Sequence, residues 1–302
     1  MHANIRIEPV PAATVVLVRE EAGELQVYLL RRSRQSDFMG GFYVFPGGAV
    51  GPEDQEAEFW QHHSKSDDFT RITRGQLTAA EALAFMVAAI RETFEEAGVM
   101  LAGNFQTGRS ETGITDIRFR AGGLKAGWLK TFLQAQDRSL SFSGLLPWSH
   151  WITPVLMSRR FDTRFFIVKM PKGQVCRPDN TETTHGIWIN PRNGLQENMD
   201  GRIPLSPPTL VTLHGLLGYA SFEQVEAVAM ARGWGRTTLP RLVPLEDSAV
   251  IVEPWDPAYA DSRIEIDPDA LPESVQEVGA PFSRLWLKDG FWKPVQDRLQ
   301  PD

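Results

Sequence analysis

Three glutamates, Glu92, Glu95 and Glu96, fall within five positions of "AAIRETFEEAGV" (residues 88–99), with Arg91 the one basic residue among them. On a helix, residues three and four apart share a face. The three carboxylates therefore project together, away from Ile90 and Phe94. Like charges at this spacing cost roughly 0.2–0.5 kcal/mol per pair. Anions in the last turn also oppose the helix dipole, by about 0.3–1 kcal/mol. Two readings stand. A solvated acidic face absorbs these small costs, or the acids hold a divalent cation such as Mg²⁺ or Mn²⁺, which takes clustered hard oxygen ligands.

The helix that must position them is marked at both ends. Thr78 with Glu81 has the capping-box pattern, and Gly98 suits the left-handed residue after a helix. Leu83, Val87, Ile90 and Phe94 recur at three- and four-residue spacing as its buried stripe. Upstream, Ala13–Val18 and Leu25–Arg32 read as strands around a turn at "EEAG". "GGFYVFPGG", residues 40–48, reads as a short aromatic strand between glycine pairs. Residues 51–77 are polar and irregular, and are expected to form a surface excursion. Residues 103–127 look loop-like, and "GWLKTFLQAQ" is a short helix. "HWITPVLM", "TRFFIVKM" and "THGIWI" read as strands, and residues 206–232 as mostly helical. Beyond residue 241 come short β-like pieces, "RLVPL", "AVIVEPW", "SRIEI" and "RLWLKDGFW". This order predicts a mixed α/β domain over residues 1–200, with an extension over 201–302 packed on it.

The 302 residues suffice for a packed core, and a 42% hydrophobic, 23% charged composition is ordinary for a globular chain. A net charge of -7 argues against a general nucleic-acid binder, whose affinity rests on clustered Lys and Arg. It leaves room for a small phosphorylated ligand held by local arginines. Cys176 is the one cysteine, so no internal disulfide forms. With no signal-peptide or membrane-spanning pattern, the expectation is a cytoplasmic protein without membrane partners. The oligomeric state is left open.

"VFPGGAV" followed by "RETFEEAGV" resembles the Nudix hydrolase signature, G-x5-E-x7-R-E-U-x-E-E-x-G-U, where U is a bulky aliphatic residue. Arg91, Glu92, Glu95, Glu96, Gly98 and Val99 match it, and Gly48 matches the first glycine. Thr93 stands at an aliphatic position, and Asp54 where the first glutamate belongs. Gly48 and Arg91 are 43 positions apart, 29 more than in the uninterrupted motif. A split at this place resembles the branch that contains the peroxisomal coenzyme A diphosphatase of mammals. "RRSRQSDFMGGFYVFPGG", "RRFDTRFFI" and "PDNTETTHGIW" are similar to that branch as well.

The resemblance implies a Nudix α/β/α sandwich, with an insertion inside the box and a C-terminal extension. It also implies metal-dependent hydrolysis of a nucleoside diphosphate derivative. Glu95 and Glu96, then Glu92, are the expected ligands of Mg²⁺ or Mn²⁺, with a carbonyl of Gly47 or Gly48 added because glycine lets a backbone approach closely. Arg91 is expected to clamp the carboxylates. Either Glu92 or Glu182, in "PDNTE", is the expected base. Coenzyme A or an acyl-coenzyme A leads as substrate. ADP-ribose, NADH or a nucleotide sugar stands second, and a non-catalytic Nudix-fold binding module stands as the alternative of another class.

Arg32, which belongs to a coenzyme A-like motif, and Arg160 and Arg164, which flank "FDT" with Arg159, are the candidate phosphate contacts. Pairing of these last arginines with Asp162 at a strand end is the structural alternative. Asp37 stands where the coenzyme A motif has an arginine. His62 and His63 read as solvated loop residues. Cys176 reads as a packed small residue, and Tyr43, Phe45 and Trp188 as core aromatics rather than base-stacking platforms.

Overall fold

The computed structural model describes residues 7–65, 77–101 and 124–296. Strands β1 (Val10–Glu21) and β2 (Glu24–Arg32) form a hairpin. Its two turn residues, Ala22 and Gly23, both have positive φ (52° and 80°). That is the geometry which matches the twist of the flanking strands. β3 (Tyr43–Val44) and β4 (Gly47–Ala49) follow, pairing with β2 and β1 respectively. Two helices come next, α1 (Ala57–His62) and α2 (Ala79–Ala97). α3 (Trp128–Gln136) leads into β5 (Leu146–Ile152), β6 (Phe161–Lys169) and β7 (Thr183–Ile189). β6 runs parallel to β1 through nine paired residues, and β7 lies antiparallel to β2.

The period-two alternation of strands sorts this sheet's side chains into two layers. Ala13, Val15 and Leu17 join Tyr28, Leu30 and Phe166 under α2. Val16, Val18, Val27, Leu29 and Ile167 face the other way, against α4 (Pro191–Met199), α5 (Pro207–Leu216) and α6 (Phe222–Arg232). Helices thus cover both faces, as an α/β/α sandwich requires.

α2 has the expected capping box at Thr78 and a left-handed Gly98 after its last turn. Its apolar stripe is fully buried, and so is nearly every side chain from Ala82 to Ile90, because Trp60, Leu129 and Leu133 cover its outer side.

The excursion expected over residues 51–77 is not purely superficial. Its first half forms a 3-10 turn (Glu53–Gln55) and α1, and it buries Asp54 and Trp60 to 1% exposure each. The Trp60 indole N–H donates to the Glu53 carbonyl at 2.8 Å, which is why a tryptophan in a polar stretch can enter the core. Residues 66–76 of that stretch, and all but the last four residues of the 103–127 loop, lie outside the described residues.

The C-terminal β-like pieces form a second sheet. β9 (Arg241–Pro244), β10 (Ala249–Val252), β11 (Arg284–Lys288) and β12 (Phe291–Val295) run antiparallel in the order β12-β11-β10-β9. A two-residue strand before them, β8 (Thr237–Thr238), pairs with β5 in the main sheet. "SRIEI" is not a strand: residues 262–266 form a turn and irregular backbone without ladder partners. The second sheet shares one hydrophobic cluster with the main one through Ile251, Phe282, Leu285 and Trp292. Lys293 seals the joint by donating to the carbonyls of Asn198 (2.7 Å) and Met199 (2.6 Å) at the end of α4. Among the described residues no helix is long and apolar enough to cross a membrane.

Candidate active site

The last two turns of α2 lie beside β4, and the sequence at both places explains the closeness. An added Cβ on Gly48 would come within 2.5 Å of the Glu92 carboxylate, and one on Gly47 within 2.3 Å of the Ala13 carbonyl oxygen. Two glycines therefore let a strand and an acidic helix face approach without side chains between them. The Gly47 N–H donates to Glu96 Oε2 at 2.9 Å.

Arg91 organises the rest. It donates from Nη1 to Glu92 Oε1 (2.8 Å) and Glu95 Oε2 (3.0 Å), from Nε and Nη2 to both oxygens of Asp54 (3.0 and 2.8 Å), and from Nη2 to the Ala49 carbonyl (2.9 Å). Asp54 also accepts from the Gly51 N–H at 2.7 Å. Thr93, in place of an aliphatic residue, is buried with its hydroxyl donating to the Ala89 carbonyl at 2.7 Å, so it leaves no orphaned group.

One guanidinium serves three acids, Asp54, Glu92 and Glu95, with Glu96 beside them, and the electrostatics show the deficit. Burial and the neighbouring Glu95 and Asp54 push Glu92 up to about 7, against the counterpull of Arg91. Burial and the Glu92 charge hold Glu96 well above the usual carboxylate range, and burial raises Glu95 as well. Burial acts to lower the proton affinity of Arg91, but its bond to Asp54 and the surrounding carboxylates outweigh that and raise it. The cluster is short of positive charge, and its donors are hard oxygens, so its chemistry suits Mg²⁺ or Mn²⁺. Among the described residues no three His, Cys, Asp or Glu side chains converge on one point as a ready cage. Each acid is tethered elsewhere, Glu95 at both oxygens: the Trp128 indole N–H donates to its Oε1 at 2.5 Å while Arg91 holds its Oε2.

Glu92, Glu95, Glu96, Gly47 and Gly48 line a cleft of about 400 Å³ together with Arg32, Arg159 and Glu182. Glu182 follows an Asx turn in which Asp179 accepts from the N–H groups of Glu182 (2.9 Å) and Thr183 (2.8 Å). The Ser33 N–H donates to the Glu182 carbonyl at 2.8 Å, tying that loop to the end of β2. Both Arg32 and Glu182 are near enough to act electrostatically on Glu96. Asp37 pairs with Arg159 at 3.7 Å, so an arginine from the β5–β6 connection stands beside the acid in the coenzyme A-like stretch.

Two candidate phosphate contacts are not in this cleft. On β6 the odd residues Phe161, Thr163 and Phe165 line it, so Arg164 points to the opposite face, 5% exposed and over the rings of Phe85 and Trp234. Arg160, 6% exposed, donates to the carbonyls of Thr153 and Ile7. The substrate-binding assignment of Arg160 and Arg164 is therefore corrected to a structural one, and Arg159 takes its place on the wall. His63 stacks on Phe59 at 4.0 Å, and Cys176 lies 3.9 Å from the Met170 sulfur. Trp128 and the C-terminal residues Leu242, Ile251 and Trp292, which also touch the cleft or its acids, were missed by sequence reasoning. Only the Gly127-Trp128 helix start carried any signal of position.

Comparison with known proteins follows the same lines. Residues 63–216 match the NUDT19 Nudix domain. The chain is 27% identical over 317 residues to the acyl-coenzyme A diphosphatase NUDT19 of Xenopus laevis, covering 90% of this chain and 83% of that one. It is 25% identical over 316 residues to the human protein of the same name, covering 91% and 84%. The crystal structure of a Nudix hydrolase from Alicyclobacillus acidocaldarius superposes with a TM-score of 0.57 at 26% identity, over 75% of this chain and 97% of that one.

Proposed function

The chain belongs to the NUDT19 Nudix domain family and is a Nudix hydrolase, and on that premise we propose that it cleaves the diphosphate of coenzyme A or an acyl-coenzyme A. The products are 3′,5′-ADP and 4′-phosphopantetheine or its acyl derivative. One observation carries this reading: Glu92, Glu95, Glu96 and Glu182 line the same cleft as Arg32 and Arg159. Acids for catalysis and cations for phosphate thus share one enclosure.

A divalent cation, Mg²⁺ or Mn²⁺, held by Glu92, Glu95 and Glu96 with a carbonyl of Gly47 or Gly48, would screen the diphosphate and lower the pKa of an attacking water. The chain's own residues do the rest. Arg91 fixes the carboxylates of Glu92 and Glu95 in direction. Either Glu92 or Glu182 takes the proton from the attacking water. Arg32 and Arg159, which line the cleft, would hold substrate phosphate, including the 3′-phosphate of the adenosine end.

The test is a Mg²⁺ and Mn²⁺ activity screen over coenzyme A, dephospho-coenzyme A, acyl-coenzyme A, ADP-ribose and NADH, with products identified by mass. The expected result is 3′,5′-ADP from coenzyme A and slower cleavage of dephospho-coenzyme A. Faster cleavage of ADP-ribose than of any coenzyme A would overturn the substrate assignment.

A further inference from the structure

Beyond the acids and arginines, the same cleft has a wall of a different kind. Leu242 on β9 and Ile251 on β10 are direct partners across the second sheet, so their side chains stand side by side on one face. Val250 and Val252 alternate to the opposite face, where they form a separate cluster with Leu271 and Val295. The Leu242–Ile251 face turns toward the main sheet and lines the cleft, with Pro207, Pro208 and Pro240 around it. The nearby Ser206 Oγ and Thr209 Oγ1 bond each other at 2.8 Å, so one of their two donors is spent within the wall. No charged side chain of the second sheet lines the cleft.

The acids come from α2, packed on one layer of the main sheet, and the aliphatic wall comes from a sheet packed on the other layer. A diphosphate ester spanning this cleft meets carboxylates at its centre, and its two arms meet different surroundings. The cations Arg32 and Arg159 suit the phosphorylated nucleoside. The Leu242–Ile251 wall suits an arm without charge, and hydrocarbon transfer to such a surface is favourable in proportion to the area buried.

We infer that the second sheet is a specificity element: Leu242 and Ile251 form the floor of a subsite for the acyl arm of the substrate and set the chain length the enzyme prefers. This rests on the coenzyme A reading above. The experiment compares kcat/KM for coenzyme A and for its acetyl, butanoyl, hexanoyl and octanoyl esters in wild type, Leu242→Trp and Leu242→Ser. Leu242 is half-buried, so both variants are chosen to fold, and a thermal melt checks that they do. Affinity for coenzyme A and octanoyl-coenzyme A is measured in parallel by calorimetry, on protein with Ca²⁺ in place of Mg²⁺.

In wild type, kcat/KM is expected to rise by up to about fourfold per added methylene until the pocket is filled, the factor that corresponds to about 0.8 kcal/mol per buried methylene. In Leu242→Trp the octanoyl-to-unacylated ratio is expected to fall at least tenfold, because the indole occupies the space. Leu242→Ser lowers the same ratio by making the wall polar. Cleavage of coenzyme A with the same chain-length profile in all three proteins overturns the subsite and leaves the reaction standing. Chain-length-dependent binding that Leu242→Trp abolishes, without cleavage of any ester, upholds the subsite and overturns the reaction. Absence of both binding and cleavage overturns both.

Discussion

Arg91 donates to both carboxylate oxygens of Asp54, from Nε at 3.0 Å to one and from Nη2 at 2.8 Å to the other. The pair joins the two halves of a motif that the sequence interrupts, and Asp54 is 1% exposed. Removing one member of a buried, hydrogen-bonded ion pair costs about 3–5 kcal/mol, since the other is left uncompensated. Asp54→Ala and Arg91→Ala are each expected to lower stability by about that amount in urea melts. The double variant should lose clearly less than the sum of the two. Strict additivity would show that the pair does not act as a unit.

Glu96→Gln keeps shape and removes an anion. Turnover is expected to fall by about two orders of magnitude or more. The rise in Tm that Mn²⁺ gives to the wild type, a mass-action effect of binding to the folded state, should disappear. Without metal the variant should melt higher than wild type, because burial and the Glu92 charge already disfavour the ionised Glu96. Differential scanning fluorimetry with and without Mn²⁺ reads both outcomes.

The two glycines of β4 separate stability from activity. At Gly47 an added methyl meets fixed backbone, the Ala13 carbonyl oxygen and the Thr14 Cα, so Gly47→Ala should destabilise by several kcal/mol. At Gly48 it meets a side-chain end, the Glu92 carboxylate, which can turn aside by giving up its bond to Arg91 where backbone cannot. Gly48→Ala should therefore fold with a near-normal Tm and lose most of its turnover. Equal effects of both on Tm would count against this geometry.

Trp128→Phe preserves the ring packing against Phe94, centred 4.8 Å away, and deletes the hydrogen bond to Glu95. A hydrogen bond to a charged group is worth about 1.5–3 kcal/mol. Turnover should change by about ten- to a hundredfold, with metal affinity shifting alongside, because Glu95 is released from one of its two tethers. An unchanged metal dependence would remove Trp128 from the site's organisation.

Glu253 offers a test away from the site. Its side chain is fully buried, both oxygens have no hydrogen-bond partner among the described residues, and burial pushes it up to about 8. The folded state therefore keeps a proton that the unfolded chain, at about 4.5, has released. Stability is full below pH 4.5 as far as this group is concerned, declines as pH rises towards 8, and levels off above it. The loss is on the order of a few kcal/mol. Glu253→Gln should flatten that slope and raise the Tm at pH 8. A wild-type-like slope in the variant would show that the carboxylate is hydrated.

What could be read from the sequence follows the range of the forces involved. α2 was legible end to end because caps and the three-to-four spacing are local signals, and its three glutamates came with it. β1 and β2 were legible as β-rich segments on either side of a turn at "EEAG", which the structure narrows to Ala22 and Gly23. The cleft was legible in part. Arg32 and Glu182 lie on its wall, but Arg160 and Arg164 do not, because which face of β6 looks into the cleft depends on pairing with β1, some 150 positions away. Trp60 entered the core from a stretch whose composition reads as solvent-facing, because a single hydrogen bond to the Glu53 carbonyl satisfies its indole. Leu242 and Ile251 carried the ordinary marks of strand residues, and nothing local tells a wall of a binding cleft from any other apolar surface.

The interruption of the motif is pinned at two places. Ser64 and Lys65 bridge to Leu140, the N–H of Lys65 donating to its carbonyl at 2.9 Å, and Thr78 begins α2 in a self-contained cap. Asp54 lies before the first anchor and is held by the Gly51 N–H, and Arg91 lies beyond the second on a helix that starts at its own cap. The two halves of the acidic cluster are thus aligned by contacts outside the interruption, as two jaws are aligned by their own mountings.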